Sequence, residues 1–512
     1  MSLSRREILK AGAAGTALLA MPGWLAACGP KAPVAALADV TDPFLTWFGI
    51  DEGMIRQVLA ELASRGADDA DVYFQHARST AVSFEDGIVS RASTTVDQGV
   101  GLRVVVGDQV GYAFTEDLTL ASMLAAARTA SSIANGSAVA PASAFARPGR
   151  PSFYEVAVPW SDVGIDRRLP IVQKAAGMAR TKDARVEKVS VSWSDGDERV
   201  LIATLDGRII TDRRPQSRLW VNVTARQGEV VQANSANMAG RRGLEWYDDE
   251  RLNTVAQQAI DRTMILFDAR RPPAGEMPVV LAAGASGILL HEAIGHGMEA
   301  DFNRKNTSIY STMIGKKVGP DFVTVVDDGT IANERGALNV DDEGTPCERT
   351  VLVENGVLKS YLHDKISAKH YGRAASTGSG RRESFRHMPL PRMRCTTMEN
   401  GPHDKDEMIK SVKQGIIAET FTNGQVQIGA GDFTFYIKNG WMIEDGVITF
   451  PIKDVNIIGN GPQALRDVTM AAADSALDTG GWTCGKDGQS VPVSQGLPTV
   501  LVSKLAVGGA NG

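Results

Sequence analysis

Hydrophobic and polar positions repeat with two different periods along this chain of 512 residues. Alternation with a period of two, as in Thr80-Ala81-Val82-Ser83-Phe84, predicts strands that bury one face, for example at 70–74 and 80–84. Apolar residues spaced three and four apart predict amphipathic helices at 51–65, 118–133, 167–180 and 249–267. Polar two-residue turns between apolar runs predict β-hairpins at Asp86-Gly87, Gly107-Asp108, Asn355-Gly356 and Asp445-Gly446.

These elements predict a multi-domain α+β fold. Stretches rich in Ala, Ser, Pro and Gly mark the linkers between the domains. The expected organisation is a signal peptide at 1–27, a tether at 28–45, an N-terminal α+β domain at 46–137, a linker at 138–155, a middle α/β domain at 156–270 and a mainly-β C-terminal domain at 275–512. Within the last domain, a strand at 277–281 leads into the apolar run Ile288-Leu289-Leu290.

The first 28 residues have the features of an export signal. Arg5 and Arg6 match a twin-arginine signal, and the apolar stretch after them is too short to span a membrane as a helix. Leu25-Ala26-Ala27-Cys28 resembles a bacterial lipobox, which predicts acylation of Cys28. We therefore expect an exported protein, anchored by lipid on the periplasmic face of the cell envelope. The alternative is an uncleaved N-terminal helix on a cytoplasmic protein.

Charge and cysteine content exclude two classes of protein. The formal net charge is −6 and no long basic run is present, which argues against a nucleic-acid partner. Four cysteines are too few for a disulfide scaffold. If Cys28 carries lipid, an odd number of thiols remains, and a metal-bound thiolate is one use for the unpaired one. Spacing alone does not choose among Cys347, Cys395 and Cys484.

The hexapeptide from His291 to His296 carries the most informative chemistry. Two neutral imidazoles can bind Zn²⁺, and Glu292 between them can accept a proton from an attacking water. On a straight α-helix, residues five apart differ by about 140° around the axis and about 7.5 Å along it, which is too far for two ligands of one ion. A π-bulge or a break at Gly295 is therefore predicted. The alternative is two histidines that only pack or cap.

Taken together, several motifs resemble the TldD/PmbA family of metallopeptidases, specifically its TldD-type catalytic subunit. They occur in family order across nearly the whole chain after residue 28. The matching segments are Glu85-Asp86-Gly87-Ile88-Val89, Gly99-Val100-Gly101-Leu102-Arg103, the stretch from His291 to Phe302, Asp341-Asp342-Glu343-Gly344-Thr345-Pro346, Gly378-Ser379-Gly380-Arg381-Arg382-Glu383-Ser384 and Cys484-Gly485-Lys486-Asp487-Gly488-Gln489.

The resemblance implies a zinc peptidase with His291, His296 and Cys484 as metal ligands and Glu292 as general base. It also implies unfolded or short extended peptides as substrates, bound along a strand edge. The expected assembly is a homodimer, or a heterodimer with a related PmbA-type subunit. Two other functions stay open: a catalytically silent peptide-binding subunit and a non-peptidase metal-dependent amide hydrolase.

Three further groups of polar residues allow a functional or a structural interpretation. Arg381 and Arg382 could bind a substrate carboxylate, or form a structural ion pair with Glu383. The acidic run 341–343 could hold a second metal, although a polar turn before Pro346 is the simpler account. The remaining two thiols, at positions 347 and 395, are expected to pack in the core or to form a disulfide.

Overall fold

The computed structural model describes residues 43–427 and 429–509. Its first half is built on one sheet of six antiparallel strands in the order β3-β2-β1-β4-β5-β6. These strands are β1 (Asp69–Glu85), β2 (Ile88–Val106), β3 (Gln109–Thr115), β4 (Val186–Thr204), β5 (Ile209–Gln227) and β6 (Val230–Gly240). Because β1 pairs with β4, the sheet joins the regions 46–137 and 156–270, which the sequence assigned to separate domains.

Five helices accompany this sheet, and the apolar stripes of α2 to α5 pack on it. They are α1 (Pro43–Phe48), α2 (Glu52–Leu62), α3 (Leu120–Ser131), α4 (Ile165–Arg180) and α5 (Asp249–Met264). The Asp51 and Asp248 side chains cap the first turns of α2 and α5 by accepting backbone N–H groups. The four helices predicted from periodicity are confirmed, with ends that differ by a few residues.

The hairpins predicted from turn chemistry are also confirmed. Asp86 and Gly87 both have positive φ, 46° and 89°, between β1 and β2. Such angles suit the two-residue turns that match the twist of paired strands, and Gly adopts them without strain. The other three turns likewise join adjacent antiparallel strands.

The second half of the chain is mainly β, as the sequence predicted. Its strands are β7 (Gly275–Leu281), β8 (Val325–Asp328), β9 (Arg349–Glu354), β10 (Val357–Leu358), β11 (Gly380–Arg381), β12 (Leu390–Pro391), β13 (Cys395–Met398), β14 (Gln414–Gln427), β15 (Asp432–Glu444), β16 (Val447–Ile452), β17 (Val455–Asn460), β18 (Val468–Ala471), β19 (Ala476–Leu477), β20 (Thr483–Lys486), β21 (Gln489–Pro492), β22 (Ser494–Leu497) and β23 (Val500–Gly509). Its helices are short: α6 (Ile288–Leu290), α7 (Ala300–Arg304), α8 (Lys365–His370), α9 (Lys405–Lys410) and α10 (Gly461–Arg466).

Two larger sheets organise this half. One has the order β10-β9-β8-β13-β22-β19. In the other, β14, β7, β23, β17 and β15 pair in turn, and β15 also pairs with β14, so that these five strands close into a barrel. Apolar residues of these strands and of α6 form one buried core, which gives the histidine segment a rigid support.

Buried ion pairs connect the six-stranded sheet to the second half of the chain. Arg103 Nη1 lies 2.6 Å from Glu343 Oε1, and Arg214 Nη1 lies 2.6 Å from Asp342 Oδ1. The Tyr73 hydroxyl donates to the same Asp342 oxygen at 3.3 Å. The described residues, 43–427 and 429–509, accordingly form one compact unit.

Candidate metal centre

The histidine segment follows β7 through a tight turn. Gly284 has a φ of 83°, and a short 3₁₀ turn, Ala285–Gly287, then leads into α6. The three apolar residues of α6 are buried in the core of the second half. Burial of this face fixes the orientation of the histidines that come directly after it.

From His291 to Gly295 the helix is a π-helix, as the five-residue spacing predicted. The backbone N–H of His296 donates to the carbonyl of His291, five residues earlier. The wider turn brings both imidazoles to one side, with ring centroids 5.1 Å apart. Gly295 is required here, because a Cβ at this position would lie 2.0 Å from the sulfur of Met393.

The hairpin of β20 and β21 brings a thiol to the two imidazoles. Cys484 Sγ lies 3.4 Å from His296 Nε2. One ligand atom from each of His291, His296 and Cys484 lies within 4.8 Å of the others, and all three residues are buried. Arg392 donates to the Cys484 carbonyl at 2.7 Å, which holds this strand in place. The structure therefore brings together the three residues that the resemblance named as ligands.

The three side chains perturb one another electrostatically. Burial opposes the thiolate, but the adjacent His291 and His296 hold the pKa of the Cys484 thiol well below its usual range. Burial also opposes the imidazolium of His296, whereas Glu299 and Cys484 raise its pKa well above the usual value. A divalent cation requires a thiolate and neutral imidazoles, so its binding would displace the proton that the raised pKa keeps on His296.

The donor set fits zinc. Two imidazoles and one thiolate, with a fourth position left for water or substrate, are a known ligand set of catalytic Zn²⁺. His291 Nδ1 is buried and has no hydrogen-bond partner among the described residues. Burying such an atom without a partner costs roughly 1–3 kcal/mol, so an imidazole like this is better explained at a binding site than in a packed core.

A buried ionic pair supports the second histidine. His296 Nδ1 lies 3.0 Å from Glu299 Oε2, so a proton on Nδ1 leaves Nε2 free to face Cys484. Lys486 Nζ in turn lies 3.1 Å from the same Glu299 oxygen and 2.7 Å from Asp301 Oδ1. Although burial opposes its charge, Lys486 and His296 lower the pKa of Glu299 to about 2.

Sequence reasoning did not single out Glu299, Asp301 or Lys486 as functional. The signal was present, since the first two follow His296 by three and five residues and the lysine follows Cys484 by two. Each therefore belongs to a quoted motif. The motifs do not show that the segment with His296 and the segment with Cys484 are in contact in the folded chain.

Glu292 lies beside the three candidate ligands. Its Oε2 is 3.8 Å from His296 Nε2, and its side chain is 20% exposed. A Cβ added to Gly424, in β14, would lie 3.6 Å from Glu292 Cγ, so this strand runs next to the carboxylate. The carboxylate thus combines proximity to the ligands with access to solvent.

The two arginines that were candidates for substrate binding are structural. Arg382 is buried and ion-paired with Asp71 at 3.2 Å. Arg381 is buried and donates to the carbonyls of Met393 and Pro492 at 2.5 and 2.7 Å. A substrate carboxylate therefore has no access to either guanidinium. The alternative, a structural ion pair with Glu383, is also wrong, because the two arginines bind other groups.

The acidic run 341–343 does not form a second metal site. Asp342 and Glu343 are ion-paired with arginines of the six-stranded sheet, and Asp341 accepts backbone N–H groups of its own turn. Among the described residues, the candidate ligands above are the only group of three His, Cys, Asp or Glu with atoms close enough for one ion. Cys347 and Cys395 are buried free thiols, so the disulfide alternative is wrong.

Comparison with known proteins gives consistent matches along the chain. Family models for PmbA/TldA metallopeptidases match in order: domain 1 at residues 70–134, the central domain at 158–267 and the C-terminal domain at 274–509. The Metalloprotease TldD homolog of Haemophilus influenzae is 39% identical over 483 residues, which cover 93% of this chain and 100% of that protein. The Zinc metalloprotease TldD homolog of Saccharolobus solfataricus is 31% identical, over 67% of this chain and 76% of that protein.

Solved structures share the fold at low identity. A putative modulator of DNA gyrase from Thermotoga maritima has a TM-score of 0.72 at 20% identity, over 90% of this chain and 100% of that one. TldE from Thermococcus kodakarensis has a TM-score of 0.68 at 19% identity, over 90% and 99% of the two chains. These likenesses establish the α+β architecture.

The expectation of export and a lipid anchor is wrong. The alignment with the Haemophilus influenzae protein takes in all of that protein but 93% of this chain, so a full-length relative has no counterpart for the remainder. No helix among residues 43–427 and 429–509 is long and apolar enough to cross a membrane. Arg5, Arg6 and Cys28, which carried the expectation, lie outside the described residues.

The family matches span all three parts of the chain, and the candidate metal centre lies within the part matched by the C-terminal domain. A relative aligned over its entire length shares 39% of its residues with this chain. The relatives named here as homologues of TldD are metalloproteases by name. This chain belongs to the PmbA/TldD metallopeptidase family.

Proposed function

We propose that this protein is a zinc-dependent peptidase that hydrolyses unfolded or short, extended peptides. One observation carries the proposal: two buried imidazoles and a thiolate converge within 4.8 Å, and a partly exposed carboxylate lies beside them. A purely structural zinc site has no use for an unligated carboxylate next to its ligands. Glu292 therefore favours an enzyme over a silent binding subunit.

In this proposal His291, His296 and Cys484 hold the metal. When bound, zinc would supply a Lewis acid that polarises the peptide carbonyl. Glu292 accepts a proton from the attacking water and passes it to the leaving amine, which its position next to His296 and its exposure permit. Glu299 keeps the His296 ring oriented by accepting the Nδ1 proton.

An extended substrate has an available strand edge at this site. β14 pairs with β7 only at Ile416, Ile417 and Ala418, so beyond Ala418 this edge has no strand partner among the described residues. The same strand passes Glu292 at Gly424. A peptide that pairs with this edge would use main-chain hydrogen bonds, which are common to all sequences.

The assembly is proposed from the family resemblance alone. We propose a homodimer, or a heterodimer with a PmbA-type subunit, as the working form. Light scattering of the purified protein, alone and with a PmbA-type chain from the same cell, tests it. A monomer under both conditions would reject this part of the proposal.

Metal content and peptide cleavage, measured side by side in three variants, test the catalytic proposal. We expect Glu292→Gln to retain zinc and to lose about 10²–10⁴-fold in rate, because the base is gone and the ligands remain. Cys484→Ala should lose both zinc and cleavage. Cys395→Ala, which removes another buried thiol, is the matched control and should retain both. Full activity in Glu292→Gln, or full zinc in Cys484→Ala, would reject the assigned roles.

A further inference from the structure

A cavity of about 310 Å³ is lined in part by residues that stand a few positions from those of the candidate metal centre in sequence. Three aromatic side chains from three distant parts of the chain contribute to its wall: Trp220 of β5, Phe421 of β14 and Trp482 just before β20. All three are partly buried, so each keeps exposed ring surface. Neither the metal ligands nor Glu292 line this cavity.

Two of the segments that carry candidate metal ligands also line the cavity, at positions that precede those ligands in sequence. Ala285 lines the cavity and stands six residues before His291, which is about 9 Å along a helix. Trp482 stands two residues before Cys484, or about 7 Å along a strand. The cavity and the candidate ligands therefore follow one another along both elements.

In the third element, β14, a cavity-lining residue likewise precedes a residue that contacts the metal centre. Phe421 lines the cavity, and Gly424, three residues later, lies against Glu292. Three strand residues span about 10 Å. By these spacings the cavity wall lies roughly 7–10 Å along the chain from residues of the metal centre. It lies on the stretch of β14 whose edge has no strand partner among the described residues.

The charges around the cavity disfavour a basic occupant. Arg262 and Lys438 line it, and neither forms an ion pair within the described part of the chain, so a lysine or arginine side chain would meet two like charges. Asp478 also lines it, and burial raises the pKa of this acid to about 7, so it is at most half ionised at neutral pH. The same two cations would attract an acidic side chain, so glutamate is the competing occupant that the test has to include.

We propose that this cavity is a substrate subsite that takes one aromatic side chain of the peptide. At about 3.3 Å per extended residue, a spacing of roughly 7–10 Å places that side chain two or three residues from the scissile bond. Ring-on-ring contact with Trp220, Phe421 and Trp482 provides the selectivity. The inference rests on the proposed peptidase function and adds a substrate preference to it.

The test uses the zinc-loaded protein and a set of otherwise identical extended peptides. One residue is varied among Phe, Ala, Lys and Glu at each position around the cleaved bond, and kcat/KM is measured with the products identified by mass spectrometry. We expect a preference of about tenfold for Phe over Ala at a single position two or three residues from the bond. Lys should not exceed Ala there, and Glu should not exceed Phe. Equal rates for Phe and Ala at every position, or a preference for a charged residue, would overturn the proposal.

Variants tie the preference to the cavity. Trp220→Ala should remove the preference, so that kcat/KM becomes equal for the Phe and Ala peptides, whereas Trp220→Phe should keep most of the preference. Trp47→Ala, which removes a 49%-exposed indole on another surface, is the matched control and should behave as wild type. A preference that persists in Trp220→Ala would overturn the assignment to this cavity.

Peptide binding to Glu292→Gln separates failure of the subsite from failure of the peptidase proposal. Binding is followed by tryptophan fluorescence and does not require cleavage. If wild type cleaves no peptide but the variant binds the Phe peptide about tenfold more tightly than the Ala peptide, the subsite stands and the peptidase proposal fails. If peptides are cleaved but neither rate nor binding distinguishes Phe from Ala, only the subsite fails.

Discussion

Glu299→Gln is the most informative single change outside the candidate ligands. Glu299 is buried, accepts from His296 Nδ1 at 3.0 Å and is ion-paired with Lys486 at 3.1 Å. The amide has the same shape but carries no charge. The amide oxygen can still accept the proton on His296 Nδ1, but without a negative charge it makes the imidazole a weaker ligand for a cation. Asp301 is then the remaining carboxylate partner of Lys486.

The expected loss follows from the role of such carboxylates at metal sites. Removing a group that hydrogen-bonds a metal-ligating histidine lowers metal affinity by about 10–100-fold. At about 1.4 kcal/mol per tenfold, this corresponds to about 1.4–2.8 kcal/mol of binding free energy. The upper end applies here, because both Glu299 and His296 are shielded from solvent and Lys486 already orients the carboxylate.

Competition with a chromophoric chelator measures this affinity without reference to activity. Asp301→Asn is the matched control, since Asp301 shares Lys486 but does not contact His296. We expect zinc affinity to fall 10–100-fold in Glu299→Gln and less than threefold in Asp301→Asn, with both proteins folded by circular dichroism. Wild-type affinity in Glu299→Gln would refute the orienting role, and an equal loss in both variants would assign the effect to Lys486 instead.

Three further outcomes are expected. Gly295→Ala should lower zinc affinity and destabilise the fold by about 1–3 kcal/mol in urea unfolding, because the new Cβ would lie 2.0 Å from the sulfur of the buried Met393; unchanged zinc binding would contradict the need for glycine. Asp71→Asn should destabilise by about 3–5 kcal/mol at pH 7, because Arg103 and Arg382 both lose a buried partner; a loss below 1 kcal/mol would contradict it. Despite burial, those two arginines hold the pKa of Asp71 below its usual value. Ionised Asp71 therefore stabilises the fold fully above the unfolded pKa of about 3.9, and this stabilisation is lost as the pH falls through the lower folded pKa. The difference in free energy of unfolding between wild type and Asp71→Asn should accordingly narrow below about pH 4. A difference that widens in acid would contradict the assignment.

Local chemistry made the histidine segment predictable. Two imidazoles five residues apart cannot meet on an α-helix, so a shared ion required the π-helix that the structure has at His291–Gly295. Turn chemistry was equally local: Asn355 and Gly356, with φ of 49° and 76°, form the tight turn that their sequence predicts. Such features depend on a few neighbouring residues and can be inferred from one sequence.

Long-range pairing was not predictable in the same way. The predicted strands at 70–74 and 80–84 are parts of one strand, Asp69–Glu85, because the polar residues between them also pair with β2 and β4. β4 begins about a hundred residues after β1 ends, and no periodicity names a partner at that distance. The thiol at Cys484 illustrates the same limit, since spacing left three cysteines open and family resemblance was needed to choose among them.

Buried charges were the other gap. Arg381, Arg382 and Lys486 are polar in sequence, and a polar residue is normally expected at the surface. Each is buried because a carboxylate or a carbonyl from a distant segment pairs with it. Such pairings exist only in the folded chain, so sequence reasoning left both a substrate-binding and a structural role open for the two arginines and passed over Lys486.

The separation of 188 positions between His296 and Cys484 has a consequence for biosynthesis. During translation, both histidines are synthesised before the hairpin that carries Cys484. The proposed ion therefore has no third ligand until that hairpin has been added. A polypeptide that ends before Cys484 would therefore lack the proposed ability to cleave its own unfolded segments or other chains. The proposed peptidase activity would therefore arise only after the hairpin of β20 and β21 has been synthesised.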